Sequence, residues 1–157
     1  MADEKKIAFA KTVFTTLCEA MDHRQWKYEK DEEDLTAHFI VSGDDIPMQF
    51  ILVIDAERQL IRLMSPLPFK MSESKRIDGA IATCVASFGL ADGSFDYDLS
   101  EGRIIFRMTA SFRESLIGEE LFHYMISCSC ATVDEYNEKF LAIDKSLLSI
   151  TDFIEDN

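Results

Sequence analysis

Apolar residues recur at spacings of three and four through the first part of the chain. Ile7, Ala10, Phe14, Leu17, Cys18 and Met21 fall on one stripe. That period predicts a helix over 4–22. Asp3 and Glu4 stand at its start, where negative charge suits the unpaired N–H groups of a first turn. The period then changes to two. Trp26 and Tyr28 share one face of a short strand, and "DEED" at 31–34 makes a charged turn. In "LTAHFIVS", Leu35, Ala37, Phe39 and Val41 face one way and Thr36 and His38 the other, the alternation of a half-buried strand. After "GDD" at 43–45, "MQFILVID" puts Met48, Phe50, Leu52 and Ile54 on one face. Ile51 and Val53 make its second face apolar as well, which predicts a central strand. "AER" turns the chain into "QLIRLMS". Connections this short join antiparallel neighbours, so the four strands predict a meander.

"PLPFKM" at 66–71 cannot be helical, because its two prolines hold the backbone extended. A helix near 73–90 follows, capped by Ser72 or Ser74, with a stripe of Ile77, Ile81, Cys84, Val85 and Phe88 and a stop at Gly89. Next come two alternating segments around Glu101-Gly102. A turn there pairs Leu99 with Ile104, Tyr97 with Phe106 and Phe95 with Met108, and sets Asp96 opposite Arg107. From Gly118 to about Ile150, Leu121, Met125, Cys128, Thr132, Tyr136, Phe140, Ile143 and Leu147 keep helical spacing. They make one long helix, or two joined near Thr132–Asp134. The tail "DFIEDN" reads as frayed. Strands are grouped rather than alternated with helices. The class is therefore α+β: an antiparallel sheet of a four-strand meander plus a C-terminal hairpin, with helices packed on one face. The 157 residues suit a single domain, 1–157, with a core over about 4–150.

Charge narrows the partners. The chain carries a net charge of -13. It has no excess of Lys and Arg to displace counterions from phosphates, which argues against nucleic acid and anionic membranes and suits basic partners. No stretch approaches the roughly 18 apolar residues of a membrane span. "MADEKKIAFAKTVF" has no apolar core followed by a small-residue cleavage site, so a cytoplasmic protein with free thiols is expected.

Chemistry is hard to find. Cys128 and Cys130 lie roughly 200° apart on a helix and cannot share a metal. Cys18, Cys84 and Cys128 sit on apolar stripes, where cysteine packs as a small hydrophobe. His23, His38 and His123 are scattered, and no G-x-S-x-G elbow, phosphate loop or calcium loop is present. "DEED" and "GDD" read as turns. The expectation is no catalytic residue, no metal and no cofactor. Two features remain for binding. Leu67, Phe69 and Met71 in "SPLPFKM" either belong to a loop tucked over the core or form a candidate apolar patch for a partner chain. The last helix exceeds what a small sheet needs, so part of it packs on a second subunit or the whole lies diagonally across the sheet.

The segments "SFGLADGSFDYDLSEGRIIFRMT", "IRLMSPLPFKMSESKR" and "LIGEELFHYMISCSCATVDEY" resemble YbjN-like proteins in the order of their elements, over roughly Val13 to Ile150. Ser87 stands where that family often has Asn, and the family's Pro near Gly118 is missing. The resemblance implies a type III secretion chaperone-like fold and a small, acidic, usually dimeric bacterial protein of the sensory-transduction-regulator kind. It brings no catalytic residues. The function expected is a non-enzymatic module that binds another polypeptide as a homodimer, chaperone-like or as a regulatory adaptor. The alternative is a small-molecule sensor or an enzyme with a ligand pocket between sheet and helices.

Overall fold

The computed structural model describes residues 2–157. The N-terminal stripe forms helix α1 (Glu4–His23), capped by Asp3, whose carboxylate accepts the Lys6 N–H at 2.8 Å. The chain continues through β1 (Glu29–Asp31), β2 (Thr36–Val41), β3 (Met48–Asp55) and β4 (Leu60–Lys70). A 3-10 turn at Glu73–Lys75 leads to α2 (Arg76–Gly89), then β5 (Ser94–Asp98) and β6 (Arg103–Ser111). Helices α3 (Glu119–Asp144) and α4 (Ile150–Asp156) complete the chain. The strands make one antiparallel sheet in the order β1-β2-β3-β4-β6-β5. Meander and hairpin are thus fused by the β4–β6 pairing.

One face of the sheet carries the core. Ala37, Phe39, Phe50, Leu52, Ile61, Leu63, Ile104 and Phe106 alternate inward and meet α1 and α3. The other face stays open, with His38, Gln49 and Arg107 exposed and Ile51, Val53 and Met64 half-buried. Helix α3 is continuous and buries a residue at nearly every turn from Phe122 to Ile143.

Several expectations need correction. Trp26 and Tyr28 precede the first strand, which is the short segment Glu29–Asp31. The prolines at 66 and 68 do not end β4. Strand β3 pairs with β4 only as far as Met64, and a register shift follows Pro66. Beyond Met64, β4 is an edge strand on that side, where a missing N–H removes no ladder bond. The tail is not frayed: Ser149 caps α4 and Phe153 is buried against Tyr136 and Phe140. Leu147, assigned to the helical stripe, lies exposed in the turn between α3 and α4.

The hairpin keeps its faces but slips by two residues. Phe95 pairs with Phe106 and Tyr97 with Ile104, while Leu99 leaves the strand. The cause is Asp98. Its carboxylate accepts the Ser100 N–H at 3.0 Å and the Ser100 hydroxyl at 2.6 Å, and receives Arg103 at 3.0 Å. These bonds favour a four-residue loop over a tight turn. Gly102 closes it at φ +76°, against the Met71 backbone, a place no side chain could occupy. The Asp96–Arg107 ion pair survives the slip as a diagonal contact of 2.9 Å.

The Ser100 hydroxyl and then Arg103 hold the Asp98 carboxyl down at about 2, from an ordinary 3.8. A depressed carboxylate adds stability above its unfolded pKa and loses it as the pH falls through the folded value. Asp98→Asn is therefore expected to destabilise the protein above pH 3.8, with the difference from wild type shrinking as pH falls toward about 2. Urea unfolding across that range checks it. A constant difference would show that the loop is held by geometry rather than charge.

Candidate functional site: a free sheet edge over an apolar groove

Helix α1 ends in a tight exit. The Gln25 N–H donates to the Asp22 carbonyl at 2.9 Å, the Trp26 N–H donates to the Met21 carbonyl at 3.0 Å, and Gln25 takes a φ of +57°. This turn carries residues 25–28 away from the helix. The Trp26 ring meets the His123 ring edge-on at 5.9 Å, and His123 Nε2 donates to the Ala20 carbonyl at 3.0 Å. The end of α1 and the start of α3 thus fix the indole.

The chain joins the sheet only at Glu29. Because β1 is so short, it covers Thr36, Ala37 and His38 of β2 and no more. The backbone edge of Phe39, Ile40 and Val41 has no strand beside it. Between that edge and residues 25–27 lies a groove of about 580 Å³ reaching Ser42, with Ile126 and Cys130 of α3 on its wall. Phe39 is buried and stacked on Phe50 at 5.4 Å. Ile40, 74% exposed, stands on the strand above it. Burial, and then the nearby Asp134 carboxylate, push the Cys130 thiol up to about 11. Cys130 is therefore a neutral thiol at physiological pH and offers no thiolate, and Lys27 is the one charged residue among the described residues that line the groove. The arrangement can take an added strand: backbone groups to pair with, and an apolar trough for alternate side chains.

A second unpartnered surface lies on α2. Of the expected stripe only Val85 packs against the core, and the other four residues are exposed. Phe88 is 94% exposed, Ile77 65% and Ile81 37%, and Cys84 is exposed with them. The buried face is instead Gly79, Ala82, Thr83 and Ala86. Small residues bring this helix close to the sheet. A methyl at Gly79 would collide with the Tyr97 hydroxyl and Met71. The Tyr97 hydroxyl donates to the Arg76 carbonyl at 2.7 Å, and Ser87 Oγ accepts the Phe95 N–H at 2.8 Å. Both ends of α2 are so pinned to β5, with its large side chains turned outward.

The predicted patch at Leu67, Phe69 and Met71 fares differently. Leu67 and Met71 belong to the core, 9% and 1% exposed, and only Phe69 is half-buried. The reason is the unexpected length of β4, whose alternation carries Leu67 inward with Ile61 and Leu63. Phe69 lies beside a shallow groove of about 270 Å³ with Pro66, Pro68 and Ile105. The histidines stay apart: His23 Nδ1 meets Glu119 at 2.6 Å and His38 Nε2 meets Glu29 at 2.8 Å. Among the described residues no three His, Cys, Asp or Glu side chains stand together as metal ligands. No helix among them is long and apolar enough to cross a membrane. Sequence reasoning missed both surfaces. The α2 face was legible as a stripe but not as outward-facing. The β2 edge could have been suspected from "KYEKDEED", where the few residues before the charged turn are too short to pair with the whole of "LTAHFIV".

No family model and no curated protein matches the sequence. The resemblance to YbjN-like proteins therefore rests on the order of elements alone. Two solved structures are similar in fold. A chain of the HopA1–SchA chaperone–effector complex aligns at a TM-score of 0.51 with 15% identity, over 89% of this chain and 98% of that one. A chain of the ExsC–ExsE complex aligns at 0.53 with 16% identity, over 82% and 90%. At such identity the likeness is one of fold: the protein shares its α+β architecture with a chain of each complex, and α+β is the class expected from its sequence.

Proposed function

We propose that the protein is a non-enzymatic module that binds another polypeptide, chaperone-like or as a regulatory adaptor of the YbjN kind, and works as a homodimer in the bacterial cytoplasm. The observation that carries this reading is the free edge of β2 at Phe39–Val41, set against the apolar groove of Trp26, Ile126 and Cys130. An extended segment gains backbone hydrogen bonds from the edge and specificity from the groove. Both fold neighbours come from two-protein complexes, which supports the same reading. Dimerisation is assigned to the outward face of α2. Helix α3 is spent on its own core, whereas Ile77, Ile81 and Phe88 touch water. The small-molecule alternative is disfavoured by the interior. Phe50, Leu52, Phe106, Phe122 and Phe140 are fully buried between sheet and helices, where a ligand would have to sit.

The test starts from the polypeptide that co-purifies with the tagged protein from its native lysate at moderate salt. Its affinity is then measured against Ile40→Lys and Phe69→Asp. A lysine on the free edge is expected to weaken binding by about tenfold or more. Phe69→Asp, away from that edge, should leave it within about twofold of wild type. Full binding by a natively folded Ile40→Lys would rule out the β2 edge. Loss on Phe69→Asp alone would move the site to β4.

A further inference from the structure

The groove ends in charge. Past Ser42 the β2–β3 loop presents Asp44 and Asp45, and α3 presents Asp134 and Glu138. Cys130, Asp134 and Glu138 are spaced by four, so they follow one another along a single helix face, away from the groove wall. The loop is held to that face. The Asp44 N–H donates to Asp134 Oδ1 at 3.0 Å. The Asp45 carboxyl, hydrogen-bonded to that of Glu138, pushes Glu138 above the usual carboxylate range. Four carboxyls therefore crowd the end of the groove. Among the described residues no Lys, Arg or His pairs with any of them. Other surface carboxylates, Asp55, Asp78, Asp96, Asp98 and Glu101 among them, do hold a cation. Like charges held this close repel, and a cation from outside relieves them.

Building on the proposed β2 docking reading, we propose that the docked segment is a basic-flanked strand, with Lys or Arg at the end that passes Ser42 and meets Asp44, Asp45, Asp134 and Glu138. The apolar part of the segment supplies the grip on the groove. The basic end sets register along an edge where backbone pairing alone would let a strand slide. It also rejects acidic-flanked segments, because like charges juxtaposed at the end of the groove cost binding energy.

The test uses short labelled peptides with one alternating Val/Thr core. One set carries two lysines at the N-terminal or the C-terminal end, and the other carries two glutamates there. Affinities are measured on the wild-type protein, on Asp45→Asn/Glu138→Gln, and on Glu73→Gln/Glu101→Gln. The last variant removes the same charge beside α2 and the hairpin loop, away from the β1 edge. The expected result is a lysine preference of about tenfold or more at low salt, weakening as salt is raised. It should fall below about threefold in Asp45→Asn/Glu138→Gln and persist in Glu73→Gln/Glu101→Gln. Equal loss of preference in both variants would assign it to the net charge of the whole protein and overturn the inference. If both peptide sets bind equally well to wild type, and Ile40→Lys weakens both, the basic flank falls while the docking edge stands. If neither set binds the wild-type protein, the docking reading falls too.

Discussion

Phe140→Ala is expected to cost about 3–5 kcal/mol of folding stability, the range for truncating a fully buried aromatic. Phe140 is 0% exposed. Its ring lies 5.0 Å from Phe95, 5.8 Å from Tyr136 and 6.0 Å from Phe153. These neighbours belong to β5, α3 itself and α4, so one ring joins the hairpin, the long helix and the terminal helix. The cavity left behind has rigid walls. Phe95 also packs on Phe106 at 5.2 Å, and Tyr136 is tethered by its hydroxyl to the Asn157 side chain at 3.1 Å. Neither can swing in to fill the space without giving up its own contacts. Urea unfolding measures the change, and the melting temperature should fall by about 10 °C. Leu147→Ala is the control, since that side chain is exposed and should shift stability by less than about 0.5 kcal/mol. A loss below about 1.5 kcal/mol for Phe140→Ala would mean that α4 closes over the gap.

The second large effect concerns assembly. Wild-type protein is expected to sediment at twice the 17.9 kDa chain mass, and Ile81→Glu/Phe88→Glu at the chain mass. The argument is the inversion of α2. A helix that buries Gly79, Ala82 and Ala86 and exposes Ile77, Ile81 and Phe88 leaves its larger apolar surface in water. Each large side chain regains about 1.5–3 kcal/mol when fully covered, and a two-fold axis lets one stripe cover its own copy. Glutamate on the same face places like charges opposite each other across that axis. The substituted side chains are already exposed, so circular dichroism and the unfolding midpoint of the variant protomer should match an unassociated wild type. A wild type that sediments as a monomer at every concentration, or a variant that stays at twice the chain mass, would exclude α2 as the interface.

These surfaces differ in how far the sequence betrayed them. The stripe on α2 was visible as a period, but a period names two faces and not which one is buried. Ordinarily the larger residues go inside. Here Tyr97 and Met71 already fill the space beneath the helix, and only Gly79 fits above them. The same limit applied to "PLPFKM". Two prolines marked an extended segment whose apolar residues could face either way; the end of β3 pairing at Met64 left it room to continue as a strand, and Leu67 and Met71 went into the core.

What the sequence determined by itself is the set of elements, the antiparallel meander, the α+β class and the faces of each strand. All of these are local: periods of two and three-to-four, short connections, and turn residues encode them within a few positions. Tertiary structure alone decided the rest. It set the two-residue slip of the hairpin, through the hydrogen bonds gathered on Asp98. It turned α2 large side out. It left β2 uncovered past His38, and it brought Asp44 and Asp45 from one loop against Asp134 and Glu138 from a helix some ninety positions away. Each of these depends on which distant groups compete for the same space or the same proton, and no pattern along the chain records that competition.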